Sequence, residues 1–131
     1  LGVYGILRLT ERFSKPLLKK GVKRLYGITP QKSQLAKEKL DLLLNQVEEI
    51  LIQNGGRYLV SDRLGLADIS VCALAAPLLG PQGTPWESDD AQNLPPEILS
   101  YREHLIERPI GQYILRFYQN ERHARVDWRG V

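Results

Sequence analysis

The most pronounced feature of the hydrophobic pattern is an apolar run in the middle of the chain, Leu66–Leu79. Its single charged residue is Asp68, and apolar side chains fall on every side of the helix that the run would form. A helix at the surface of a domain would show a polar face at helical spacing. The pattern therefore predicts a central helix that is buried on all faces. The run is too short to cross a membrane, which takes about 20 apolar residues.

The residues around the start of this run predict how the helix begins. With Gly65 at the N-cap, Asp68 falls at the third helical position, where its carboxylate can accept a hydrogen bond from the Gly65 N–H. Leu64 and Ile69 then take the two positions of a hydrophobic staple. The helix dipole also favours an anion in the first turn. We therefore assign these four residues a structural capping role, with Asp68 as the main local anchor.

Amphipathic segments on the N-terminal side predict further helices. Residues 1–26 are typical of one kinked helix or of two short ones, because Pro16 lacks the N–H group that a continuous helix needs. Thr29 and Pro30 then provide an N-cap and a first helical residue. The helix that they open is expected to run to about Gln53, where two glycines follow.

The C-terminal side continues the pattern after a loop at residues 81–96, which could be functional or a solvated linker. Pro95-Pro96 opens one helix, and Arg108-Pro109 separates it from a last helix with an apolar stripe. No segment shows the short alternating pattern that is typical of strands. We therefore predict an all-α bundle of five or six helices around the buried central helix.

Composition places this bundle in one domain of residues 1–131. The single cysteine, Cys72, lies in the apolar run and can form no internal disulfide, which indicates a buried thiol in a reducing compartment and a cytoplasmic protein. The chain contains no methionine. We therefore expect it to have been cut or processed from a longer protein.

Charge is concentrated in the first predicted helix. Residues 1–26 hold seven basic side chains against Glu11 alone, whereas the whole chain has a formal charge of +3. The basic residues are Arg8, Arg12, Lys15, Lys19, Lys20, Lys23 and Arg24. They could form a solvated face, an anion-binding wall or a membrane-surface helix. A solvated face is the default, and we do not expect a membrane surface because the apolar positions are needed for a core.

Candidate catalytic chemistry is missing from the sequence. One cysteine and two widely spaced histidines, His104 and His123, cannot form a zinc site. There is neither a phosphate-binding glycine loop nor a nucleophile elbow. Basic residues do not interleave with aromatic ones as in RNA-binding modules, so no nucleic acid is expected. We predict no catalytic residue and no metal in this chain.

Two segments resemble the C-terminal domain of the glutathione transferases. The first combines Tyr58-Leu59-Val60-Ser61-Asp62 with Leu66-Ala67-Asp68-Ile69-Ser70. It is similar to the start of that family's central helix, although Gly65 stands where the family usually has Ser or Thr. The second, Glu107–Gln112, resembles the family's Arg-Pro-x-x-Gln step between its last helices. The resemblance covers roughly residues 29–118 and implies an orthogonal helical bundle.

The resemblance also implies a division of labour. By this resemblance the chain is the C-terminal part of a larger two-domain protein. In that family a preceding thioredoxin-like domain, absent here, binds glutathione as co-substrate for conjugation or reduction and carries the activating Tyr, Ser or Cys. The helical domain supplies most of the pocket for a small apolar electrophile, chiefly from its first helix, and part of a homodimer interface formed by the first two helices. On this interpretation Tyr4, Leu7, Arg8 and Arg12 are the pocket candidates, and Trp128 is a possible lid.

A second interpretation comes from a different class of protein. Helical domains of this kind also serve as non-catalytic protein-interaction modules, and the basic first helix would suit an acidic partner. On either interpretation this chain alone is expected to be inactive. On the glutathione transferase interpretation, the longer protein that contains it would be a transferase.

Overall fold

The computed structural model describes residues 3–87 and 94–122, and for residues 3–13 it describes the backbone alone. The described residues form five α-helices and a terminal π-helical segment, and they include no strand. The elements are α1 (Val3–Leu25), α2 (Pro30–Gln53), α3 (Leu66–Leu79), α4 (Pro96–Glu107), α5 (Pro109–Arg116) and the π-helical segment (Phe117–Glu121). The all-α prediction is confirmed.

The chain divides within α2 into two compact units, residues 1–42 and 43–131. In the first unit, α1 is one helix that passes through Pro16, so of the two alternatives the single helix is the one found. The apolar positions of this helix were expected to be needed for a core, but Leu18 and Leu25 are 68% and 80% exposed, so that expectation is wrong for these two residues. The described part of this unit comprises α1 and the N-terminal part of α2.

Local signals set both ends of α2 as the sequence predicts. The Lys32 N–H lies 3.2 Å from the Thr29 hydroxyl, the capping hydrogen bond of the first turn. At the other end, Gly55 and Gly56 have φ values of 85° and 79°, which favour glycine. The Gly56 N–H donates to the Leu51 carbonyl at 2.7 Å and so satisfies one of the last carbonyls of the helix.

The second unit has its core along one side of α3, which packs against α4 and α5. Five side chains of α3 are buried there: Asp68, Cys72, Ala75, Ala76 and Leu79. The opposite side is also apolar, but Leu66 and Leu74 are 78% and 81% exposed. The prediction that α3 is buried on all faces is therefore wrong for one face, because α4 and α5 both lie against the other. The helix is nevertheless central to this unit.

The helices α4 and α5 meet in a close junction. Arg108 has extended backbone angles and separates the two helices, and Pro109 is the first residue of α5. Gly111 lies so close to the end of α4 that a Cβ atom there would fall 1.9 Å from the Leu105 carbonyl oxygen. A glycine at position 111 is thus what allows the two helices to meet at this angle.

Candidate functional site

The five predicted pocket and lid residues fall where the structure describes no side chains. Tyr4, Leu7, Arg8 and Arg12 lie within α1, and their spacing puts the four positions on one side of that helix. Their side chains, and all of Trp128, lie outside the described residues. Their role in binding an electrophile therefore stays a prediction.

Asp68 is the centre of the best-defined polar cluster in the described structure. Its side chain is 1% exposed and accepts three hydrogen bonds. Oδ2 accepts from the Gly65 N–H at 2.8 Å, which is the contact expected of a residue at the third helical position. Oδ1 accepts from the Leu59 N–H at 2.8 Å and from the Tyr113 hydroxyl at 2.7 Å. The carboxylate therefore joins the start of α3, the segment before it and α5.

The other three residues with a predicted capping role are Gly65, Leu64 and Ile69. Gly65 has φ −126° and ψ 176°, which any residue adopts, and its carbonyl accepts from the Ile69 N–H at 3.2 Å. Glycine offers no side-chain oxygen, so only the Asp68 half of a capping box is present. Leu64 and Ile69, the predicted staple pair, are both partly exposed.

The sequence pattern did not predict Tyr113 and Leu59 as partners of Asp68. Tyr113 belongs to the apolar stripe of the last helix, and that pattern gives no indication of a partner in α3. A signal did exist, because a buried tyrosine hydroxyl needs a hydrogen-bond partner and Asp68 is the acidic residue within the apolar run.

Burial also controls the two other ionisable groups of this cluster. The Cys72 side chain is fully buried, and its desolvation raises the pKa of the thiol from 9.0 to about 12. Desolvation, followed by the hydrogen bond to Asp68, raises the pKa of the Tyr113 hydroxyl well above its ordinary range. Both groups are neutral at physiological pH, so Cys72 is a buried structural thiol and no candidate nucleophile.

The raised pKa of Cys72 predicts a specific loss of stability in alkali. Below pH 9 the thiol is protonated in both states, and its contribution to stability is complete. Above pH 9 the unfolded state loses the proton first, which costs up to ~1.4 kcal/mol per pH unit until the folded state titrates near pH 12. Urea unfolding at pH 8, 9 and 10 should show a steeper decline for the native sequence than for Cys72→Ala. Equal slopes in the two proteins would contradict the assignment.

The segment with the Arg-Pro-x-x-Gln pattern forms a second polar cluster, which fixes the α4–α5 junction. Arg108 pairs with Glu48 of α2 at 3.2 Å and donates to the Asn45 side chain at 2.7 Å. The same glutamate accepts from the Ile110 N–H at 3.0 Å, so it also satisfies the first turn of α5. Gln112 donates to the Ile106 carbonyl at 2.7 Å. These contacts account for the motif as a structural device.

Neither a metal centre nor a membrane span emerges from the described ranges 3–87 and 94–122. They contain no group of three or more His, Cys, Asp or Glu side chains placed to hold a metal ion. None of their helices combines the length and apolar character needed to cross a membrane.

Residues 15–115 match the family model described as "Glutathione S-transferase, C-terminal domain". The chain belongs to this family. No curated protein and no solved structure matches it at a significant level. The matched residues of this glutathione transferase C-terminal domain include Asp68 and Arg108, the centres of its two polar clusters. The predicted pocket positions on α1 precede the matched residues, and Trp128 follows them.

Proposed function

We propose that this domain contributes the electrophile-binding half of a two-domain glutathione transferase-like protein. The observation that carries the proposal is the family match over residues 15–115. In such a protein glutathione is a co-substrate held mainly by a separate thioredoxin-like domain. The helical domain then supplies one wall of the electrophile pocket, and we place that wall on the side of α1 that carries Tyr4, Leu7, Arg8 and Arg12.

The chemistry of the described residues supports this division of labour. Conjugation requires a thiolate, and a free thiol of pKa about 8.5 is mostly protonated at neutral pH. Cys72 is no candidate for the group that activates glutathione, since it is fully buried and burial raises the pKa of its own thiol to about 12. Asp68 has three hydrogen-bond donors around its carboxylate, which suits a folding role and leaves little capacity for proton transfer. The activating residue would therefore come from the other domain.

We expect this chain alone to show no conjugation of glutathione with 1-chloro-2,4-dinitrobenzene, because positioning of both reactants is what accelerates such a reaction. The rate is measured spectrophotometrically on this chain and on a longer product of the same gene that adds a thioredoxin-like domain. Activity of this chain would mean that it holds the catalytic group. Inactivity of the longer protein towards several electrophiles and disulfides would favour the alternative, a non-catalytic interaction module.

We also propose a homodimer formed through α1 and α2. Apolar side chains are exposed on both helices, among them Leu18 and Leu25 of α1 and Ile52 of α2. The chain has a mass of 14.9 kDa, and sedimentation equilibrium should give twice that mass. Leu18→Glu should shift the equilibrium towards the monomer. A monomer at all concentrations would contradict this proposal and leave the conjugation proposal to its own assay.

A reducing, cytoplasmic location is proposed on the strength of the unpaired thiol of Cys72.

A further inference from the structure

A small cavity of about 200 Å³ lies between the turn that follows α3 and the C-terminal end of the helices. Its lining combines three kinds of group. Pro81 and Leu115 are apolar, Gln82 and Gln119 carry carboxamides, and Arg122 carries a positive charge. The volume is below the roughly 300–1,000 Å³ of pockets for drug-sized ligands, so an occupant would be small.

Arg122 gives this cavity its electrostatic character. Its guanidinium carbon lies 5.4 Å from the centroid of the Tyr118 ring, which also lines the cavity. None of the described lining residues is acidic. Glu87, which is not among them, accepts from the Gly83 N–H at 2.7 Å through one of its two carboxylate oxygens. The Arg122 side chain also hydrogen-bonds the Tyr118 side chain. A guanidinium has five N–H donors, so donors remain for an anion while the contact with Tyr118 limits its orientation.

The turn that forms the opposite side of the cavity is held by its own hydrogen bonds. The Thr84 hydroxyl donates to the Pro81 carbonyl at 2.6 Å and accepts from the Trp86 N–H at 3.3 Å. Gly80, with φ 61°, ends α3 in a left-handed conformation. Arg102 anchors the same end of α3 by donating to the Leu78 carbonyl at 3.0 Å. Such a turn is organised before binding, which lowers the entropy cost of capturing a ligand.

A second concavity, lined by residues that include Gly56, Arg57, Arg116 and Glu121, contrasts with the cavity around Arg122 in the partners of its arginine side chain Arg116. There Arg116 already donates to the Gly56 and Arg57 carbonyls, at 3.1 and 2.6 Å. Glu121, which accepts from the Tyr58 hydroxyl, adds a negative charge to that lining. Arg116 therefore serves the fold, whereas the described lining around Arg122 combines a cation with neutral groups.

We propose that the cavity around Arg122 binds a small organic monocarboxylate with a flat apolar body. The guanidinium would pair with the carboxylate through charge-assisted hydrogen bonds. The amides of Gln82 and Gln119 would donate to the same oxygens, and Pro81 and Leu115 would contact the apolar body. One cation balances one negative charge, which favours a carboxylate over a phosphate dianion. This proposal does not depend on whether the domain takes part in conjugation.

Titration of the full chain with sodium benzoate, monitored by ¹H–¹⁵N NMR spectra, tests the proposal. Saturable shifts are expected at the amides of Gly83 and Gln119. Benzamide has the same shape without the charge and should bind at least tenfold more weakly, as should inorganic phosphate. Equal binding of benzamide, equal or tighter binding of phosphate, or the absence of saturable shifts would overturn the proposal.

Substitution of the cation provides the second half of the test. Arg122→Gln should weaken benzoate binding at least tenfold, whereas the matched variant Arg63→Gln, outside the cavity, should leave it unchanged. Thermal unfolding of both variants establishes that they fold. If Arg122→Gln does not fold, the comparison of benzoate with benzamide on the native sequence still decides the outcome. Unchanged affinity in a folded Arg122→Gln protein would also overturn the proposal.

Discussion

Replacement of Asp68 by alanine is expected to lower the free energy of unfolding by roughly 3–5 kcal/mol. The substitution leaves the Leu59 N–H, the Gly65 N–H and the Tyr113 hydroxyl without their acceptor in a site where Asp68 itself is 1% exposed. Each buried donor that loses its partner costs about 1–3 kcal/mol. An N-terminal cap by itself would account for only about 0.5–2 kcal/mol. The larger loss therefore measures the tertiary part of the role of Asp68.

Urea unfolding of three variants separates the two parts of this effect. Tyr113→Phe removes one donor and keeps the carboxylate with its two backbone partners, so a loss of about 1–2 kcal/mol is expected. Gly65→Ser should change stability by only a few tenths of a kcal/mol, since glycine is already a tolerable N-cap. If Asp68→Ala cost less than the tyrosine variant, or abolished an activity of the longer protein without destabilising the fold, the folding role of Asp68 would be wrong.

Substitution of Gly111 by alanine is the second change with a large expected effect, a loss of about 3 kcal/mol or more. The added Cβ would lie 1.9 Å from the Leu105 oxygen and 2.7 Å from its carbonyl carbon. Both are backbone atoms, so no side-chain rotation relieves the overlap and α4 and α5 must separate. Ile110 and Tyr113, which are buried in α5, would move with the helix. Part of the core would therefore be lost together with the helix junction.

A matched glycine elsewhere controls for the intrinsic preference of helices for alanine. Gly21 lies inside α1 and has no atom within 4 Å of the position that a Cβ would take. Gly21→Ala should therefore be neutral or stabilise by about 0.5–1 kcal/mol. Calorimetric midpoints of the two variants should move in opposite directions or differ widely. A Gly111→Ala protein as stable as the native sequence would mean that the two helices do not meet as closely as described.

Much of the fold was predictable from the sequence, because the signals involved act within one or two helical turns. The bounds of α2 follow from Thr29 and Pro30 at its start and from Gly55 and Gly56 after its end. The contact of Asp68 with Gly65 follows from a spacing of three residues. The two motifs were enough to indicate the family that the match over residues 15–115 identifies.

The candidate site was less predictable, because its chemistry depends on residues far apart in the chain. Asp68 and Tyr113 are separated by 45 residues, and Glu48 and Ile110 by 62. Periodicity assigns Tyr113 to an apolar stripe but does not show which side chain lies opposite. The cavity around Arg122 likewise combines residues from two distant segments, neither of which carries a recognisable binding motif.

The helical class, the helix ends and the family can be inferred from the amino-acid sequence, since these depend on local hydrogen bonds and on spacing along the chain. Which side of α3 faces the core depends instead on tertiary packing. Both sides of α3 are apolar, and they differ only in that α4 and α5 pack against one of them. The hydrophobic pattern of α3 does not show which side that is. The same holds for Gly111, whose lack of a side chain matters only because another helix ends 1.9 Å from where its Cβ would be.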